Sequence, residues 1–80
     1  MSKVYTRYNE LIAQKEVIEG RRFTYKEISE DTGLAVGTIG SYRNGTVTRY
    51  DGDTLIALCN FLDCDLGDLM RVKTAVATEL

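Results

Sequence analysis

Hydrophobic residues recur at helical spacing over most of the chain. In the first segment they are Val4, Tyr8, Leu11 and Ile12. This spacing predicts a helix from about Val4 to Ile18, ended by Gly20. A second stripe, further along the chain, consists of Leu55, Leu58, Cys59 and Leu62. It predicts another amphipathic helix, capped by Asp51 or Asp53.

Between these two stripes, polar residues mark the ends of two short helices. Thr24 and Glu27 have the spacing of a capping box, which starts a helix at Tyr25. Gly33 ends that helix near Thr32, since the reversal favours a residue at ease with positive φ. The next helix carries Ile39 and Tyr42 on one narrow apolar side and spans residues 34–44, before the Asn44-Gly45 breaker.

The last part of the chain predicts one more short helix. Asp65 and Asp68 are spaced as a cap for a helix bearing Leu66 and Leu69. Residues 72–80 are interpreted as a tail, because the alternation around Val76 is too weak to predict a strand. The fold class is therefore all-α, a compact bundle of about five short helices, with one domain over residues 1–71.

The composition excludes most catalytic and membrane functions. The 80 residues include no His, which is the commonest general base and neutral metal ligand. We therefore expect no enzyme activity, no metal site and no small-molecule cofactor. Nothing resembles a membrane span or a signal peptide. Cys59 and Cys64, if they shared a helix, would lie too far apart for an easy disulfide, which favours reduced thiols in a cytoplasmic protein.

Charge is unevenly distributed along the chain. Residues 1–49 hold eight Lys/Arg and six Asp/Glu, whereas residues 50–80 hold two and six, and the total is −2. No acid lies between Thr32 and Tyr50, a window that contains Arg43 and Arg49. This window is suited to face an anion, although short windows also lack acids by chance.

The segment 25–44 has the pattern of a helix-turn-helix unit, two short helices joined by a tight glycine turn. The unit's key positions are Ile28, Ser29, Gly33, Leu34, Ile39 and Tyr42. The stretches FTYKEISEDTGLAVGTIGSYRNG and DGDTLIALCNFLDCDLGDLM resemble the Cro/cI-type, lambda-repressor-like helix-turn-helix family, and the resemblance covers roughly residues 8–70. It implies a five-helix domain that binds double-stranded operator DNA, often as a homodimer, and regulates transcription, as a repressor for example.

The resemblance also assigns DNA-contacting roles along the unit, with a recognition helix over about residues 35–43. The positions matched to the major groove are Ala35, Val36, Gly37, Thr38 and Ser41. Those matched to the DNA backbone are Tyr25, Thr38, Arg43, Asn44, Thr46, Thr48 and Arg49. The hydroxyls, amides and guanidinium groups of the second set are suited to phosphate.

The groove-facing set departs from the usual chemistry of base recognition. It contains none of the Arg, Lys, Asn or Gln side chains that bond two groups of a base at once. Ala35 replaces a serine cap, and Gly37 and Gly40 weaken the helix. The glycines fit either close approach to DNA or sequence drift. An alternative function is therefore a protein–protein interaction module on the same scaffold, with weak or lost DNA readout.

Overall fold

A computed structural model describes residues 2–74, as five helices flanked by two strands. In chain order the elements are β1 (Ser2–Thr6), α1 (Tyr8–Glu19), α2 (Tyr25–Thr32), α3 (Val36–Asn44), α4 (Gly52–Leu62), α5 (Leu66–Leu69) and β2 (Met70–Thr74). The predicted all-α class and the five helices are confirmed, and the strand pair is a minor addition. No helix in this part of the chain has the length and apolar character to cross a membrane.

The ends of the central helices follow their local signals. Thr24 Oγ1 accepts a hydrogen bond from the Glu27 amide at 3.1 Å, and Glu27 Oε1 accepts one from the Thr24 amide at 3.1 Å. This reciprocal capping box starts α2 at the predicted residue. Gly33 ends α2 with φ of 77°, as the sequence predicts. Asp51 caps α4, since its Oδ2 accepts from the Thr54 amide at 3.1 Å.

The core lies where all five helices meet. Ile39 of α3, Leu58 of α4 and Leu69 of α5 have no exposed surface, and Ile28 of α2 is 2% exposed. Tyr8 of α1 is also buried there. Burying such side chains contributes about 1.5–3 kcal/mol each to the free energy of folding. The core therefore fixes α2 and α3 against the other helices.

The two ends of the described chain differ from the prediction. The first helix begins at Tyr8 and not at Val4, and residues 72–74 are not a tail but part of β2. The strands pair antiparallel with Val4 opposite Val72, and the Arg7 amide donates to the Leu69 carbonyl at 2.8 Å just below them. This backbone pairing accounts for the extended conformation of residues 2–6. Residues 75–80 of the predicted tail lie outside the described residues.

The two cysteines do not share a helix, so the spacing argument against a disulfide does not apply. Asp63 ends α4 with φ of 53°, and the Cys64 amide turns back to donate to the Cys59 carbonyl at 3.0 Å. Both thiols are free and half-buried. Burial, with Cys59 as a neighbour, raises the pKa of Cys64 to about 11, so that its thiol stays protonated at neutral pH.

Candidate nucleic-acid interface

The turn between α2 and α3 is held by side chains that bond to its backbone. Ser29 Oγ donates to the Leu34 carbonyl at 2.6 Å. Thr32 Oγ1 donates to the Ile28 carbonyl at 2.6 Å and accepts from the Leu34 amide at 3.1 Å. Because these bonds satisfy backbone groups around Gly33, the angle between the two helices is set locally.

The outer side of α3 begins with a small, apolar surface. Ala35, Val36 and Gly37 are exposed, and 47% of the Val36 surface is accessible. Ala35 occupies the N-cap position in extended backbone and makes no side-chain cap bond. The first amides of α3 are therefore left for solvent or a ligand.

The glycines of α3 have room for a side chain. A Cβ on Gly37 would meet no atom within 4 Å, and one on Gly40 would meet only the Tyr25 ring, at 3.7 Å from Cε2. That contact is an ordinary van der Waals distance. Packing inside the protein therefore does not explain these glycines. The contact does show that Tyr25, at the start of α2, lies beside α3.

A shallow recess separates α3 from the loop of residues 45–51. Its lining consists of Thr38, Ser41, Tyr42, Thr46, Val47, Thr48, Arg49, Asp51 and Thr54. Six of these residues carry hydroxyl groups, and Arg49 adds a guanidinium group. Hydroxyl and guanidinium donors are suited to a phosphate oxygen. The recess thus brings together five of the predicted DNA-contacting residues.

The hydroxyls of the recess differ in availability. Ser41 Oγ donates to the Gly37 carbonyl at 3.1 Å, so it is left with its acceptor lone pairs. Tyr42 is 4% exposed, and its hydroxyl has no hydrogen-bond partner among the described residues. Burial raises the pKa of Tyr42, which keeps this hydroxyl a proton donor at neutral pH. The sequence indicated Tyr42 only as a core residue, because its spacing from Ile39 does not reveal where the hydroxyl lies.

The C-terminal end of α3 carries the remaining predicted contacts. Arg43 and Asn44 are exposed there, and neither Arg43 nor Arg49 forms an ion pair within residues 2–74. Asn9 Nδ2, on α1, donates to the Arg43 carbonyl at 2.9 Å. Asn9 is a positioning residue that sequence reasoning missed, because the contact spans 34 residues of the chain.

One acid lies at this surface. The Asp51 carboxylate lines the recess, and its hydrogen bonds from the side chain and amide of Thr54 hold its pKa below the ordinary value. It is therefore charged at neutral pH, although the N-terminus of α4 offsets part of that charge. Asp51 was predicted only as a cap, which the structure confirms.

The surface gathers donors without a metal-binding cluster. Within the described chain, no group of three or more His, Cys, Asp or Glu residues is placed to hold a metal ion. Of the comparisons with known proteins, the one with family models gives a match. Neither the curated proteins nor the solved structures contain a match to the chain. Residues 15–75, however, match the family model described as the Cro/C1-type HTH DNA-binding domain, and because this match spans more than half of the chain, the protein belongs to that family.

Proposed function

We propose that this protein is a sequence-specific regulator of transcription, a repressor that acts in the cytoplasm as a homodimer on double-stranded DNA. The α3 helix lies in the major groove, and the protein is a binding protein and not an enzyme. The observation that carries the proposal is the recess beside α3. Its hydroxyl groups and Arg49 surround a concave surface next to α3, the helix that the family resemblance assigns to the major groove.

The recess and the two free arginines supply the contacts to the DNA backbone. Arg49 lines the recess from the loop, and Arg43 lies outside it, exposed near the end of α3. A phosphate in the recess accepts hydrogen bonds from the Arg49 guanidinium group and the Thr48 hydroxyl, and Arg43 meets a neighbouring phosphate. Tyr25, on the other side of α3, donates to a second phosphate.

Base recognition falls to the first turn of α3. The methyl groups of Ala35 and Val36 are exposed there and match the C5-methyl group of thymine. Gly37 leaves the backbone open for close approach. Ser41, whose proton is engaged by the Gly37 carbonyl, offers an acceptor to the amino groups of cytosine or adenine. This chemistry favours A·T-rich sites and leaves part of the specificity to DNA shape.

Selection from a random duplex pool, followed by anisotropy titration at several salt concentrations, tests the proposal. We expect an enriched sequence and an affinity that falls as salt rises. Each of the variants Arg43→Ala and Arg49→Ala should reduce the slope of log affinity against log salt concentration by about 1. Each should also weaken binding to all DNA sequences to a similar extent. Lys15→Gln is the matched control, because Lys15 pairs with Glu19 at 2.7 Å on α1. Absence of binding at low salt, from folded protein, contradicts the proposal.

The exposed apolar start of α3 supports a second candidate function. A protein–protein interaction module would use Val36, 47% exposed, as an anchor and would not need the arginines. In that case, the Arg43→Ala and Arg49→Ala variants would retain full activity in cells while Val36→Ser would lose it. Loss of activity with the arginines, at unchanged stability, excludes this candidate.

A further inference from the structure

The C-terminal end of α4 folds back on itself. Asp63 has a left-handed backbone with φ of 53°, and the Asp63 and Cys64 amides both donate to the Cys59 carbonyl, the Cys64 amide at 3.0 Å. In helix ends of this kind, the residue after the left-handed one returns to the last full turn and packs its side chain there. The reversal therefore brings Cys64 back to Cys59, five positions earlier in the chain.

The hydrogen bond limits the separation of the two cysteine backbones. The path from the Cys59 Cα through its carbonyl group and the 3.0 Å hydrogen bond to the Cys64 Cα spans less than about 7 Å, because it bends at the carbonyl carbon. Further bends at the carbonyl oxygen and the amide nitrogen shorten it. Disulfides join residues whose Cα atoms lie about 4.4–6.8 Å apart. The turn therefore holds the two backbones at a separation that a disulfide can bridge.

The two thiols also share one surface. Cys59 and Cys64 are both half-buried and line the same recess, together with Asn60, Asp63, Asp65 and Asp68. Burial is the largest cause of the raised pKa of Cys64, and the charge of Cys59 and a hydrogen bond with its thiol add to it, so the two sulfur atoms are neighbours. Within residues 2–74 these groups are not placed to hold a metal ion. The arrangement thus favours chemistry between the two thiols.

We infer that Cys59 and Cys64 are a modification site: the pair exchanges with a low-molecular-weight disulfide, such as oxidised glutathione, and closes into a reversible intramolecular disulfide within the native fold. This bond ties the end of α4 to the segment that leads into α5. The inference does not depend on DNA binding, because the pair lies at the opposite end of α4 from Asp51 and the recess beside α3.

The exchange takes place in two steps. The Cys59 thiolate attacks one sulfur of oxidised glutathione, the S–S bond of glutathione breaks, and one glutathione thiolate leaves, so that Cys59 carries a mixed disulfide. The Cys64 sulfur then attacks the Cys59 sulfur, gives up its proton and releases the second glutathione. In total the two cysteines lose two electrons and two protons, which the two glutathione molecules receive. Cys59 attacks first, because the Cys64 thiol stays protonated at neutral pH.

Equilibration of the full chain with mixtures of reduced and oxidised glutathione, followed by acid quenching and mass spectrometry, tests the inference. We expect a monomer that is lighter by two hydrogen atoms. Its equilibrium constant for disulfide formation should be at least tenfold higher in folded protein than in concentrated urea, since the native turn has already ordered the backbone between the thiols. The unfolding constant of the oxidised protein should be lower than that of the reduced protein by the same factor, because the two measurements form a closed thermodynamic cycle.

An engineered thiol pair separates native geometry from closeness in sequence. Ala13→Cys with Ile18→Cys, in a chain that also carries Cys59→Ser and Cys64→Ser, has the same spacing, but both positions are exposed on α1. Five residues of unbroken helix separate the two Cα atoms by about 7.5 Å along the axis, which is too far for a disulfide. This pair should form its disulfide less readily in folded protein than in urea.

Single variants check the order of the two steps. Cys64→Ser should stop at the mixed disulfide with one glutathione, and Cys59→Ser should form that adduct more slowly. Equal rates contradict the order, and circular dichroism melts establish that each variant is folded. The inference is overturned by an equilibrium constant that is no higher in folded protein than in urea, by an oxidised protein that unfolds at lower urea than the reduced one, or by disulfide-linked dimers as the main product.

Discussion

Gly37 and Gly40 are the residues at which stability and function can be separated. Neither has a positive φ, and neither is crowded. Alanine therefore fits both positions, and each replacement should raise the free energy of unfolding by about 1 kcal/mol. Urea denaturation measures this change. Gly33→Ala is the control, because Gly33 has φ of 77° and alanine there should destabilise the protein.

The same variants distinguish the two explanations for these glycines. If Gly37 is kept for close approach to DNA, Gly37→Ala will bind DNA more weakly although it is more stable. If it reflects drift, the affinity for the selected sequence will be unchanged. A Gly37→Ala variant that is less stable than the wild type would contradict the open space found around this residue.

Two carboxylates make stability depend on acid pH. The hydrogen bond from the Thr24 backbone amide is the largest cause that lowers the pKa of Glu27 from its ordinary 4.5. The positive charge of Arg21 and the hydrogen bond from the Thr24 side chain lower this pKa further. Hydrogen bonds from Thr54 lower the pKa of Asp51 from 3.8. Groups with lowered pKa values stabilise the fold above their unfolded values, and that contribution is lost as pH falls through the folded values. Stability should thus decline from about pH 4.5 downward.

Unfolding by urea between pH 7 and pH 2 measures this decline. Glu27→Gln retains the shape of the side chain without its titration, so its stability should fall less steeply with acid than that of the wild type. A wild-type stability that stays constant from pH 5 to pH 2.5 would contradict the assignment.

At the level of elements, local signals predicted the helices and missed the strands. The caps of α2 and α4 act within three residues, so their sequence is sufficient to place them. The pairing of β1 with β2 joins residues that are 68 positions apart at Val4 and Val72, and no local pattern reports it. Val4 and Tyr8 are also spaced as in a helix, which is why the first helix was predicted to begin too early.

The family resemblance names candidate DNA-contacting residues, but it does not give their arrangement. Thr38, Thr46 and Arg49 follow from the family resemblance, and the structure places them around one recess. The roles of Tyr42 and Asn9 were missed, because both depend on which surfaces meet when α1, α3 and the loop pack. A single hydroxyl or amide group forms no periodic pattern in the sequence, so its contacts cannot be predicted from spacing.

The start of α4 offers a test of that arrangement. Asn also caps a helix, so Asp51→Asn should keep α4 folded and lose only the contribution of the charged carboxylate to stability, while it removes the negative charge from the recess. We expect several-fold tighter DNA binding at low salt, with a gain that shrinks as salt is added. Asp53→Asn is the control, since Asp53 lies in the first turn of α4 outside the recess. Equal effects of the two changes in anisotropy titrations would place Asp51 away from the DNA.

For the molecule as a whole, the charges and the packing favour contact with DNA through a few fixed side chains over general electrostatic attraction. The net charge of −2 opposes general attraction to DNA, so binding depends on a few well-placed cations. The Tyr42 ring lies between those of Tyr8 and Tyr50, at centroid distances of 6.0 and 6.3 Å. This aromatic row connects α1, α3 and the loop before α4, and it holds the arginine-bearing segments in one orientation.

If the protein binds DNA as the proposed homodimer, its affinity should depend on the spacing of the two half-sites. Two half-sites about one helical turn apart, roughly 34 Å, would bind both copies at once. Moving them by about 5 bp turns the second half-site to the opposite side of the duplex, and affinity should fall at least tenfold, toward that of a single half-site. Anisotropy titrations on a series of duplexes measure these affinities, and a wild-type affinity that does not vary with spacing would contradict binding as a dimer.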